Sequence, residues 1–179
     1  MHMLIASKLG ALGVLLSDVG ERVADDLSPS AVALLLALRF RPALTATELA
    51  DIAGIAQPTA VRVLDGLVRR GLAVRQKRTG RRAPLRLTAL GRTRAQRLMS
   101  ARSRAIEHLL TTVSSAERAA LESIIDKLLA AATTSRTFAR TTCRLCDHAA
   151  CDGPRCPIGS RATELERLAV NGSRGGGSC

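Results

Sequence analysis

Two short helical stretches, a glycine stop and a basic hairpin in succession constrain this chain more than any other feature. Thr45-Ala-Thr-Glu48 has capping-box spacing, in which the Thr45 hydroxyl and the Glu48 carboxylate each satisfy a backbone N–H at a helix start. That helix runs to about Ala53, and Gly54-Ile55-Ala56 makes the turn. Pro58 suits the first turn of a second helix, which runs to Arg70 before Gly71 stops it. Two short helices joined by a glycine turn form a helix-turn-helix. Leu72–Gln76 and Pro84–Thr88 then read as short strands flanking the polar loop Lys77-Arg-Thr-Gly-Arg-Arg82, a β-hairpin wing.

Helical patterns flank this unit. Residues 3–25 carry Leu4, Leu9, Leu12, Leu15, Leu16, Val19 and Val23 at helical spacing. Ser28-Pro29 reads as cap and first residue of a helix buried through Val32, Leu35, Leu36 and Leu38 and ended by Arg41-Pro42. Thr88 caps a long helix to about Thr112, and Ser114-Ser-Ala-Glu117 opens another through about Arg140. A short helix is expected at 161–170 and a disordered glycine-serine tail over 171–179. Phe40 and Phe138 are the only aromatic residues, so the core must be built from Leu, Val, Ile and Ala. The expected fold is mainly α with a small β-hairpin wing, a winged helix-turn-helix with dimerisation helices from both termini. The expected divisions are 1–27 and 88–141 for dimerisation, 28–87 for DNA binding, 142–160 for a cysteine loop, and 161–179 for the short helix and tail.

No stretch reaches the ~20 apolar residues needed to cross a bilayer. Lys8 and Asp18 interrupt the apolar N-terminus, no cleavage site follows, and the chain reads as cytoplasmic with no membrane partner. The Asn171-Gly-Ser sequon is then coincidental.

Charge points to a polyanion. The chain carries a net charge of +12, yet residues 62–104 alone hold fourteen Arg or Lys against one acid, Asp65. Charge so concentrated over a DNA-reading pattern is a footprint rather than a solubility device. On the second helix Gln57, Thr59, Ala60 and Arg62 fall where base edges are read, Gln and Arg suiting adenine and guanine. Arg69 and Arg70 suit phosphates, and Arg78, Arg81 and Arg82 on the wing tip suit a minor groove or backbone.

Thr45-Glu48-Leu49-Ala50, Val63-Leu64-Asp65-Gly-Leu67, Gly71-Leu72, Arg75, Arg81 and Leu87-Thr88-Ala-Leu-Gly91 together resemble the MarR family of winged-helix regulators. The resemblance covers about residues 28–92. It implies a homodimer on a pseudo-palindromic duplex operator, usually a repressor released by a small-molecule effector or by oxidation. It matches Arg62 to a recognition-helix arginine and Arg81 to the wing arginine. The family's wing carries an Asp shortly before that arginine, where this chain has Thr79 or Gly80.

Cys143, Cys146, Cys151 and Cys156 have the spacing C-x2-C-x4-C-x4-C, with Gly153-Pro154 to turn the chain. A cytoplasmic protein has little use for structural disulfides, so a four-thiolate metal centre is the better reading. The spacing equals that of a zinc knuckle with cysteine in place of histidine. The closing Cys156-Pro157-Ile158 suits an iron–sulfur cluster, which is favoured over zinc, and resembles the cluster loop of SoxR-type redox sensors. His148 reads as a neighbour of the site and Cys179 as outside it. The expected function is a DNA-binding regulator sensing redox state or metal supply, its signal passed along the helix ending near Arg140 to the dimer interface. The alternatives are a small-molecule-responsive repressor with a structural zinc site, and a zinc-stapled architectural nucleic-acid-binding protein. Nucleophile–base pairs, paired carboxylates and phosphate loops are missing from the pattern, so an enzyme is not expected.

Overall fold

The computed structural model describes residues 2–77 and 83–174. The expected wing-tip residues Arg78, Arg81 and Arg82, and Cys179, lie outside the described residues.

Helix α1 (His2–Ala24) leads into α2 (Pro29–Phe40), α3 (Ala46–Ala53) and α4 (Gln57–Arg69). Strands β1 (Ala73–Arg75) and β2 (Leu85–Leu87) follow, then α5 (Ala89–Leu110), α6 (Ser115–Ala132), α7 (Arg136–Thr142) and α8 (Pro157–Arg174). The caps act as local chemistry dictates. Ser28 Oγ accepts the Ala31 N–H at 3.2 Å, and Thr88 Oγ1 accepts that of Gly91 at 3.0 Å. Thr45 Oγ1 accepts the Glu48 N–H at 3.3 Å, while Glu48 Oε2 accepts the Thr45 N–H at 2.7 Å. Thr45→Ala removes one side of this reciprocal pair and is expected to cost about 1 kcal/mol, read as a lowered midpoint in urea unfolding.

α2 is the core helix. Ala31 and every residue from Ala33 to Leu38 are buried, and α3, α4, α5 and β2 close around it. Leu49 of α3, Leu64 and Leu67 of α4 and Leu85 of β2 are fully buried beside Leu34, Leu35 and Leu36. The hairpin pairs antiparallel with Val74 opposite Arg86. Leu44 adds an isolated bridge to Leu85, placing the segment before α3 at the sheet edge.

Three expectations are corrected here. The helix expected to reach Arg140 breaks at Thr133, whose backbone turns extended (ψ 116) and whose Oγ1 donates to the Leu129 carbonyl at 2.8 Å. Ser135 then caps α7 by accepting the Phe138 N–H at 3.0 Å, so hydroxyl residues two apart end one helix and begin the next. The C-terminal helix starts at Pro157, four residues early, and continues to Arg174, into the segment expected to be a tail. Finally, Met3–Ala24 has a mean hydropathy of 1.5 and is long and apolar enough, by length and composition, to cross a membrane. Lys8 and Asp18, which interrupt it, do not lower the average enough to exclude it. Its C-terminal end is packed in the fold, with Val19 and Ala24 buried, whereas Leu4, Ile5, Leu9 and Leu12 are exposed.

A second, small core sits at the C-terminus. Ala139, Cys143, Ile158 and Ala162 form it, with Leu129, Cys146 and Cys156 packed against them.

Candidate nucleic-acid interface and four-cysteine centre

α4 buries Ala60, Leu64 and Leu67 against the core and exposes Gln57, Arg62 and Arg69. Ala60 is therefore not a base-reading residue: it is fully buried, and its small side chain lets α4 approach the core closely. Thr59 is half-buried at the edge of the exposed face. Gln57 Nε2 donates to Thr47 Oγ1 of α3 at 3.3 Å, holding the amide across the turn. Thr47 was not anticipated, because only the turn geometry brings residues ten apart together.

The helix start is also suited to an anion. Its cap, Ala56, has no side-chain hydrogen bond to the first-turn N–H groups, which leaves the positive end of the helix dipole for a phosphate. The turn before it depends on Gly54, whose φ of +67° is left-handed and favours glycine.

Ion pairing sorts the arginines. Arg70, expected on phosphates, is instead bonded to Asp26, with Nη1 also 3.2 Å from the Asp26 carbonyl oxygen. Arg94 joins the same turn, 2.8 Å from Asp26 and 3.2 Å from Asp25. Arg75 pairs with Asp65 at 2.6 Å, bracing β1 against α4. Arg62, Arg69, Lys77 and Arg86 remain on the exposed surface. Arg86 was missed in the sequence; the alternation Leu85 in, Arg86 out, Leu87 in is the signal that marks it.

The cysteines gather around two short turns, Cys143–Leu145 and Gly153–Arg155. The Cys143 thiol is hydrogen-bonded with Cys146 and also meets Cys156, and Cys156 in turn meets Cys151. The bond to Cys146, then burial, pushes the Cys143 thiol far up, while the same bond lowers Cys146. Burial and Cys156 push Cys151 up to about 11. Cys156 precedes α8 and takes a cap role, its Sγ accepting the Gly159 N–H at 3.2 Å. Among the described residues, no three His, Cys, Asp or Glu side chains are already gathered as a ready metal-holding group. Closure on a metal therefore requires the thiols to give up their mutual hydrogen bonds.

The surroundings of the thiols are cationic. A cavity of about 450 Å³ is lined by Cys143, Cys151 and Cys156 together with Arg41, Arg136, Arg140 and Arg167, against one lining carboxylate, Asp152. Glu166 pairs with Arg136 at 2.6 Å. Burial, and next the charge of Arg140, lower the pKa of Arg41. Four thiolates on zinc or on an iron–sulfur cluster leave a net negative centre, which such a wall would compensate. Asp147 and Asp152 serve the turns instead, accepting the N–H groups of Ala149 at 2.9 Å and Gly153 at 2.7 Å. His148 is a strut: its ring lies 4.8 Å from that of Phe40, and Nε2 is 3.3 Å from the Cys143 carbonyl oxygen.

A helix-turn-helix running into a hairpin and flanked by long helices is the architecture of winged-helix DNA-binding regulators. Residues 25–83 match the MarR family. The structure is similar to RV1404 from Mycobacterium tuberculosis at a TM-score of 0.67 and 20% identity, over 75% of this chain and 96% of that one. It is similar to MepR, a transcription regulator of the Staphylococcus aureus multidrug efflux pump MepA, at 0.62 and 18%, over 73% and 98%. The complex of Mycobacterium tuberculosis RV2887 with salicylic acid matches at 0.55 and 25%, over 67% and 92%. Among curated proteins no relative matches. The chain thus has the fold of MarR-family transcriptional regulators, and where these relatives' names state a function it is transcription regulation, not catalysis.

Proposed function

We propose that this chain is a cytoplasmic, homodimeric repressor that binds a pseudo-palindromic duplex operator, with a four-cysteine centre setting when it binds. The observation that carries DNA reading is the two-sided α4, with Ala60, Leu64 and Leu67 inward and Gln57, Arg62 and Arg69 outward. Dimerisation is supported by the unpartnered apolar surface of α1 and by α6, which buries none of its own residues and exposes Ile124, Ile125 and Leu128. A second copy covers such surface at lower cost than water does. The same cover suits α1 better than lipid, because α1 already packs along α5.

The centre is supported by the size of the core around it. Only four side chains are buried in its own small core, and segments with so little core of their own gain much from a metal. Iron–sulfur is favoured over zinc because the cysteine run closes on Cys156-Pro157-Ile158, an ending that suits a cluster. The test is the visible spectrum and metal content of protein purified without oxygen. The expected result is a brown protein with iron and sulfide in equal amounts, lost on replacing the four cysteines by serine. A colourless protein with one zinc would remove the redox part of the reading, and a metal-free one would remove the centre.

A cavity of about 520 Å³ between α1, α2 and α5 favours a second reading, an effector site. Its lining is largely apolar, and Arg102, whose buried Nε has no hydrogen-bond partner, stands in it. This pairing suits an aromatic carboxylate, the chemistry of the salicylic acid bound to RV2887. Salicylate is expected to quench operator binding in the native chain but not in Arg102→Gln. Equal response of the two proteins would sink this reading.

A further inference from the structure

The cysteine centre is docked on the DNA-reading lobe of its own protomer. Thr141 Oγ1, two residues before Cys143, donates to the Asp51 carbonyl at the end of α3 at 3.1 Å. Its methyl group reaches the turn itself, since a Cβ on Gly54 would stand 3.2 Å from Thr141 Cγ2. Two residues after Cys143, Leu145 packs on the main core, and the Cys143–Leu145 turn lies along α2. Phe40 at the end of α2 meets the His148 ring. Contacts therefore bracket Cys143 on both sides, and they land on α2, on α3 and on the turn that aims α4. The other side of the centre reaches α6 through α8 and Leu129.

Resting on the reading of a loaded centre given above, we propose that the centre controls DNA binding in cis. Gathering the four sulfurs fixes Thr141 and Leu145 against α3 and α2, and thereby sets the angle of the α3–α4 turn. This differs from a signal carried along one continuous helix to the dimer interface, which the break at Thr133 interrupts. Two packed elements sharing a rigid link are the physical requirement for such coupling. Thr141 and Phe40 are its positioning residues: Thr141 reaches α3 from the cysteine side, Phe40 of α2 meets His148 from the lobe side, and neither is a cysteine.

The test uses full-length protein, reconstituted without oxygen with ferrous iron and sulfide or loaded with zinc, and a duplex selected from a random pool. Three readouts are taken: metal per chain, amide exchange over residues 46–57 without DNA, and Kd for the duplex with and without metal. In the native chain, loading is expected to slow exchange over 46–57 and change Kd by about tenfold, within the usual range of allosteric coupling. Phe40→Leu with Thr141→Val is expected to load equally while its Kd responds by less than about twofold. A double variant that responds like the native chain overturns control in cis. Native protein that takes up neither metal overturns the centre itself, and control by it falls too.

Discussion

Gly91→Ala is expected to destabilise the chain by about 3 kcal/mol or more, at the upper end of overpacking costs, with a fall in Tm of roughly ten degrees. The new Cβ would lie 1.9 Å from the Leu72 carbonyl oxygen and 2.9 Å from its carbon. Both are backbone atoms, so no rotamer change relieves the clash. The Leu72 carbonyl also cannot move freely, because it accepts the Thr88 N–H at 3.1 Å and lies 3.3 Å from Thr88 Oγ1. Separating α5 from the end of α4 would displace Leu72 and the start of the hairpin with it. Gly10 is the control, with nothing within 4 Å of an added Cβ in an exposed part of α1. Gly10→Ala is expected to be neutral or stabilising by up to about 1 kcal/mol. Equal melting of the two variants would mean that α5 does not start against Leu72.

Arg62→Ala is expected to weaken binding to the selected duplex by about 1–3 kcal/mol, roughly five- to 150-fold, and to relax preference at one base pair. Arg62 is exposed beside the buried Leu64, so circular dichroism and Tm should not change. Arg69→Ala should act differently, weakening all sequences alike and lowering the salt dependence by about one counterion. Arg70→Ala is expected to act through stability, because Arg70 is committed to Asp26. An Arg62→Ala protein that binds the selected duplex as tightly as the native chain would displace α4 as the reading helix.

Much of the DNA-reading lobe was legible because its signals are local. Ser28, Thr45, Thr88 and Ser114 each bond the N–H three residues on, so spacing alone reveals them. Gly54 and Gly71 were legible for the same reason, since a left-handed residue must end each helix whatever packs nearby. The misreadings have non-local or ambiguous causes. Ala60 reads equally well on either side of a helix, and only packing against α2 turns it inward. Residues 133–135 are compatible with continuing a helix or capping one, and the packing of α7 onto α3 favours the cap.

The helix-turn-helix, the hairpin and the four-cysteine spacing are all readable along the chain, because each depends on residues close to one another in it, and the concentration of charge is a matter of composition alone. Packing of the whole chain settles which charges are free of ion pairs and what the cysteine segment lies against. Arg70 is withdrawn by Asp26, forty-four residues away, and Thr141 reaches Asp51 across ninety. Ion pairs and docking contacts of that kind depend on through-space distance, which a chain's spacing does not carry. The cysteine segment, expected after a dimerisation helix, therefore lies against α2 and α3.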